Sequence, residues 1–132
     1  MARQMAVRVF HCDDSGAFRL LVSELLADEP GIELVGQAGT TDATIAGVAR
    51  TRPDVVLLDL RGGDLGPDLV GAVRGVAPGS AIVVLSGWDG PIDDRDVAAR
   101  LDKGISVVEL ASTIRDVAAG RRMTDGIDRD DP

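Results

Sequence analysis

Short, continuous apolar runs alternate along this chain with stripes of helical spacing, and that alternation restricts the fold more than any other feature. The runs are Val7 to Cys12, Ile32 to Ala38, Val55 to Leu58 and Ala81 to Leu85, with a weaker fifth around Leu101. Unbroken Val, Ile and Leu suit strands covered on both faces, as in a parallel sheet. Between them, Phe18, Leu21, Val22, Leu25 and Leu26 recur at i, i+3, i+4 and i+7 behind the candidate cap Ser15, and Pro30-Gly31 stops that helix. Ile45, Val48 and Ala49 mark a second helix, opened by Thr40, Thr41 or Asp42 and ended before Pro53. Leu69, Ala72, Val73 and Val76 mark a third, with Pro67 suited to its first turn. Val107, Leu110, Ala111, Ile114, Val117 and Ala118 form the last stripe, with Ser106 as cap and Gly120 as terminator.

Alternating strands and helices require right-handed crossovers and helices on both faces of the sheet. Five such units fit a flavodoxin-like α/β fold, a (βα)5 doubly wound parallel five-stranded sheet of order 2-1-3-4-5. Between Asp89 and Arg100, glycines, a proline and a run of aspartates leave only Val97, Ala98 and Leu101 to suggest a shortened fourth helix. The domain is expected over residues 6–120, followed by a polar, disordered tail over 121–132. At 132 residues, with 45% hydrophobic and 27% charged, one domain with one sizeable core is expected. A net charge of -8 argues against a nucleic-acid binder and against an anionic membrane surface as partner. Cys12 can form no internal disulfide and reads as a plain buried thiol. No stretch approaches a membrane span or a secretory signal, so a cytoplasmic protein is expected.

The chemistry sits where the runs stop. Asp13 and Asp14 end the first, Asp59 the third, Ser86 the fourth and Lys103 the fifth. In a parallel sheet those carboxyl ends lie side by side, and ligands bind in the crevice they form. Magnesium takes oxygen ligands octahedrally, commonly one or two carboxylates with waters and phosphate oxygens. Asp14 and Asp59 are candidate ligands, with Asp13 acting through water and the backbone carbonyl of Arg61 as a further donor. A carboxylate at Asp59 can attack phosphorus and form an acyl phosphate. Developing charge on the phosphoryl oxygens then needs the metal and an ammonium, which Lys103 supplies, while Ser86 offers a hydroxyl. Singly each residue has an ordinary structural role as strand-end cap, turn residue or surface charge. Their occurrence together, one per strand end, points to a site.

Over residues 6–120 the chain resembles the receiver domains of two-component response regulators. The resemblance rests on Asp13-Asp14, Val55-Val56-Leu57-Leu58-Asp59-Leu60, Leu85-Ser86-Gly87 and Leu101-Asp102-Lys103-Gly104. It implies that Asp59 is the phospho-acceptor, that Asp13 and Asp14 bind Mg2+, that Ser86 is the switch hydroxyl and that Lys103 contacts the phosphoryl group. It implies as donor a histidine kinase or a histidine phosphotransfer protein.

Several positions depart from the family pattern. Gly62-Gly63 replace a Met-Pro pair, and Gly66-Pro67 stand where a glycine normally follows. Gly104 replaces a cis proline, so a trans bond and a different turn are open there. Arg100 replaces the switch aromatic and cannot bury as a ring does. Trp88 and Arg61 hold the two positions that flank the phosphoryl group in receivers, where they would screen it from water or, for Trp88, simply pack on the short loop.

The expected function is a stand-alone receiver, signalling in trans through an effector protein or a homodimer and not itself an enzyme beyond self-phosphorylation and self-dephosphorylation. The competing reading is a receiver-like interaction module not regulated by phosphorylation. A phosphatase working through an aspartyl phosphate is disfavoured, because Arg61 stands where such enzymes place a second acid.

Overall fold

The computed structural model describes residues 6–60, 65, 66, 68–85 and 97–130, with side chains as far as Gly120. Five strands, β1 (Val7–Cys12), β2 (Ile32–Ala38), β3 (Val55–Leu58), β4 (Ala81–Leu85) and β5 (Ala99–Leu101), form one sheet of order β2-β1-β3-β4-β5. Every neighbouring pair is parallel. Four helices accompany them: α1 (Gly16–Ala27), α2 (Thr41–Thr51), α3 (Asp68–Val76) and α4 (Val107–Asp130). This is the doubly wound topology that the alternating pattern predicts.

Strand periodicity divides the core into two layers. Val7, Val9, Val55, Leu57, Val83 and Leu85 point to the side closed by Val22 and Leu26 of α1 and by Leu110, Ala111, Ile114 and Ala118 of α4. Phe10, Cys12, Val56, Leu58, Ile82 and Val84 point to the other side, against Val48, Leu69, Val70 and Val73. With no tyrosine and few aromatics, β-branched and leucine side chains do nearly all the filling.

Local chemistry starts and stops the elements. Ser15 Oγ accepts from Phe18 N at 3.1 Å, Thr40 Oγ1 from Ala43 N at 3.2 Å and Ser106 Oγ from Glu109 N at 3.1 Å, so three helices open on hydroxyl caps. Arg52, at φ 47°, closes α2 in the left-handed region, its N–H donating to Val48 O. Gly31, at φ 81°, makes the turn into β2.

Three expectations need correction. The apolar stripe on α1 is narrower than its spacing suggests, since Leu21 is 46% exposed beside Leu20 at 60%. The last helix does not stop at Gly120 but runs to Asp130. A mid-helix glycine costs only about 1 kcal/mol relative to alanine, and the Arg-Arg-Met that follows propagates a helix well. At Gly104, by contrast, the bond is trans, as the missing proline allows: no cis bond occurs among the described residues, and its N–H donates to Asp102 Oδ1 at 3.0 Å in a local turn. Val97, Ala98 and Leu101, which in the sequence suggest a shortened fourth helix, are not helical: Ala98 N donates to Ile82 O at 2.8 Å and Leu101 ends β5, while residues 86–96 and Pro67 fall outside the described residues.

Candidate metal and phosphoryl site

The sheet's hydrogen-bond ladder extends one residue past two strands and thereby sets the acids in place. Asp13 N donates to Ala38 O at 3.0 Å, and Asp59 N donates to Cys12 O at 2.9 Å. Both carboxylates are buried, at 0% and 1% exposure, whereas Asp14 is exposed at the rim. Asp13, Asp14 and Asp59 each offer an oxygen, and these lie within 4.8 Å of one another. Lys103, two residues past β5, reaches in from the far side. Its Nζ stands 2.6 Å from Asp59 Oδ2 and 3.1 Å from Asp13 Oδ2, and 4.2 Å above the Phe18 ring.

Electrostatics at this crevice are unbalanced. Burial raises the Asp13 carboxyl above its ordinary range, and the neighbouring Asp59 pushes the same way. The Ser15 N–H, 2.8 Å from Asp13 Oδ1, and the Lys103 ammonium oppose that rise without cancelling it. Three acids face one ammonium here, an excess of negative charge that a divalent cation would offset. An all-oxygen donor set with buried members and an open rim fits a small hard ion that keeps some of its waters.

The structure thus brings together Asp13, Asp14, Asp59 and Lys103, as their strand-end positions predict. Arg100 lies elsewhere, exposed on edge strand β5 opposite Val84. Ser86, Trp88 and the Arg61 carbonyl fall outside the described residues. Cys12 is a buried thiol pushed up to about 11, chiefly by burial, as an inert core residue should be.

Three residues that sequence reasoning passed over also shape the pocket. Arg19 Nη1 donates to Asp13 O at 2.6 Å, hooking α1 onto the loop that carries the acids. The Arg19 carbonyl accepts from Gln37 Nε2 at 2.8 Å, and the same nitrogen lies 3.0 Å from Nδ1 of His11. His11 is fully buried directly behind Asp13, its Nε2 3.9 Å from Asp13 Oδ2. A signal existed for His11 alone, the chain's one histidine, set in the run that ends in Asp13 and Asp14.

An acidic crevice at the carboxyl ends of a 2-1-3-4-5 parallel sheet, with a lysine reaching across it, is the arrangement of a signalling receiver domain, and comparison with known proteins agrees. The chain is 31% identical to the signal receiver domain of the putative response regulator NarL from Mycobacterium tuberculosis, with a TM-score of 0.76 over 88% of this chain and 98% of that one. A receiver domain protein (CheY-like) from Methanospirillum hungatei shares the fold at TM-score 0.80 and 18% identity, covering 90% and 98% of the two chains. The DNA-binding transcriptional activator DevR/DosR of M. tuberculosis is 33% identical over 125 residues, covering 90% of this chain. The chain spans 58% of that relative's length. No protein-family model matches. The chain belongs to the response-regulator receiver family of two-component signalling.

Proposed function

We propose that this receiver accepts a phosphoryl group on Asp59 in a Mg2+-dependent reaction and passes its state on through protein contacts. One observation carries this reading: Lys103 Nζ bridges the buried Asp59 and Asp13 carboxylates at 2.6 and 3.1 Å within an acid cluster fit for a divalent cation. The donor is a phosphohistidine on a kinase or phosphotransfer protein, and the setting is the cytoplasm. An Asp59 oxygen attacks phosphorus, an O–P bond forms, the donor's N–P bond breaks, and the imidazole leaves with its electron pair and takes up a proton. Asp13, Asp14 and Asp59 would hold Mg2+, which supplies compensation for charge on the phosphoryl oxygens. Lys103 supplies the same from the other side, moving its ammonium from carboxylate to phosphoryl oxygen. Ser86 would donate its hydroxyl to that group, the Arg61 carbonyl would join the residues that hold the metal, and Trp88 would screen the acyl phosphate from water.

A second reading, an interaction module that is never phosphorylated, draws support from Arg100, which stands exposed on β5 where a buried switch ring would otherwise couple the site to the sheet's outer face. The chain's one tryptophan, Trp88, is close in sequence to Ser86 and decides between them. Titrating Mg2+ with acetyl phosphate or beryllofluoride should change its fluorescence saturably in the native chain and not in Asp59→Asn. Failure of the native chain to respond to either would leave the second reading standing.

A further inference from the structure

The interior behind the acid cluster contains a polar relay that phosphoryl acceptance as proposed above does not use. Gln37 Nε2 lies 2.8 Å from the Arg19 carbonyl, which can only accept, so that atom must be the amide nitrogen. The same nitrogen meets His11 Nδ1 at 3.0 Å, so Nδ1 accepts and the ring proton sits on Nε2. The tautomer is therefore assigned by the network. Nε2–H faces Asp13 Oδ2 at 3.9 Å, too long for a hydrogen bond, and it has no hydrogen-bond partner among the described residues. His11 is 0% exposed, so no bulk water takes that role. A buried donor held just short of a carboxylate is an unpaired group that calls for an explanation, and a role in another state of the molecule supplies one.

That other state is found in Lys103. Asp13 Oδ1 is occupied by the Ser15 N–H at 2.8 Å, and Oδ2 faces the Lys103 ammonium at 3.1 Å. On the proposed function, on which this inference rests, the ammonium turns toward a phosphoryl oxygen and Asp13 Oδ2 loses its cation. We propose that His11 is a positioning residue for Asp13, its Nε2–H, held there by Gln37, taking over Oδ2 when Lys103 turns away. Closing from 3.9 Å to about 2.9 Å asks only for a small rotation of the Asp13 side chain. Phe18 backs the arrangement, with its ring centroid 6.1 Å from that of His11 and the lysine Nζ over its face. The carboxylate is thereby held by the Ser15 N–H on one oxygen and the imidazole on the other while the ammonium is engaged elsewhere.

His11 is the only histidine, so imidazole nitrogen NMR of 15N-labelled protein reports it alone. The metal-free protein should show a protonated Nε2 and a bare Nδ1. Adding Mg2+ and beryllofluoride should move the Nε2–H proton downfield and slow its exchange with water. Gln37→Leu should release the lock and let the Nδ1–H form appear. His11→Phe, which keeps the ring and removes the donor, should weaken Mg2+ binding about tenfold, by analogy with lost outer-shell partners at metal sites. A wild-type Nδ1–H tautomer, an Nε2–H unmoved by beryllofluoride, or unchanged Mg2+ affinity in folded His11→Phe would each overturn the inference. Should His11→Phe not fold, the native spectrum and Gln37→Leu decide. A native chain whose Trp88 responds while His11 does not sinks this inference alone; one in which neither responds sinks the phosphoryl-acceptor reading with it.

Discussion

His11 also gives the protein a pH dependence that its neighbours alone would not. Burial holds the imidazole down at about 4 against an ordinary 6.5, with Lys103 and Arg19 pressing the same way and Asp59 resisting. The unfolded chain takes up its proton near 6.5 and the folded chain only near 4, so between those values the unfolded state binds more protons and stability rises with pH. Acidification across that window should cost the metal-free protein up to about 3 kcal/mol from this group. Asp13, whose carboxyl is raised, contributes with the opposite sign. Urea midpoints in EDTA at the two ends of the window, compared with those of His11→Phe, isolate the histidine; an equally steep loss in the variant would assign it to other groups. At this scale the sequence exposed the charged residues but not their relay. Asp13, Asp59 and Lys103 were legible because each follows an apolar run. Arg19 and Gln37 were not, because an arginine on a helix and a glutamine on a strand look solvated until the turn after β1 folds over them.

Among the elements, β1 and β2 are held in register by one ring. Phe10 lies against Gly36 and Gly47, where an added Cβ would come within 2.8 and 2.5 Å of its ring atoms. The β1–β2 register shifts between Val9 and Phe10, which aligns Phe10 with Gly36. Gly47→Ala should therefore destabilise by about 1–3 kcal/mol despite the better helix propensity of alanine. Phe10→Leu in the same chain should recover part of the loss, as the denaturation midpoints of single and double variants would show; simple additivity would deny the contact. The strand bounds could be read from the sequence because continuous apolar runs end abruptly in an acid, a glycine or a serine. The glycine seat could not be, since a glycine within a helical stripe signals only lowered propensity. The end of α4 misled for the same reason: Gly120 sits where a terminator belongs, but nothing in the polar stretch after it forces the backbone out of the helix.

For the whole molecule, the acid cluster works against stability in the metal-free state. Its excess negative charge sits among buried groups, so Asp13→Asn should stabilise the metal-free protein, by about 1 kcal/mol. The same change should abolish the native chain's response to Mg2+, which at a hundredfold its Kd adds about 2.7 kcal/mol. Thermal melts with and without Mg2+ check both halves; an Asp13→Asn chain that still gains stability from Mg2+ would remove Asp13 from the ligands. Topology was the most legible property of all, because five βα units leave few right-handed arrangements. The stretch from Ser86 to Asp96 offered neither period nor cap from which to read an element.

Both borders of the sheet carry a charge: exposed Glu33 lies on β2, and exposed Arg100 lies on the three-residue β5. An open strand edge is a template for pairing with another chain, and short, charged edges blunt it. Arg100, exposed on so short an edge, thus disfavours the addition of a further strand at that flank.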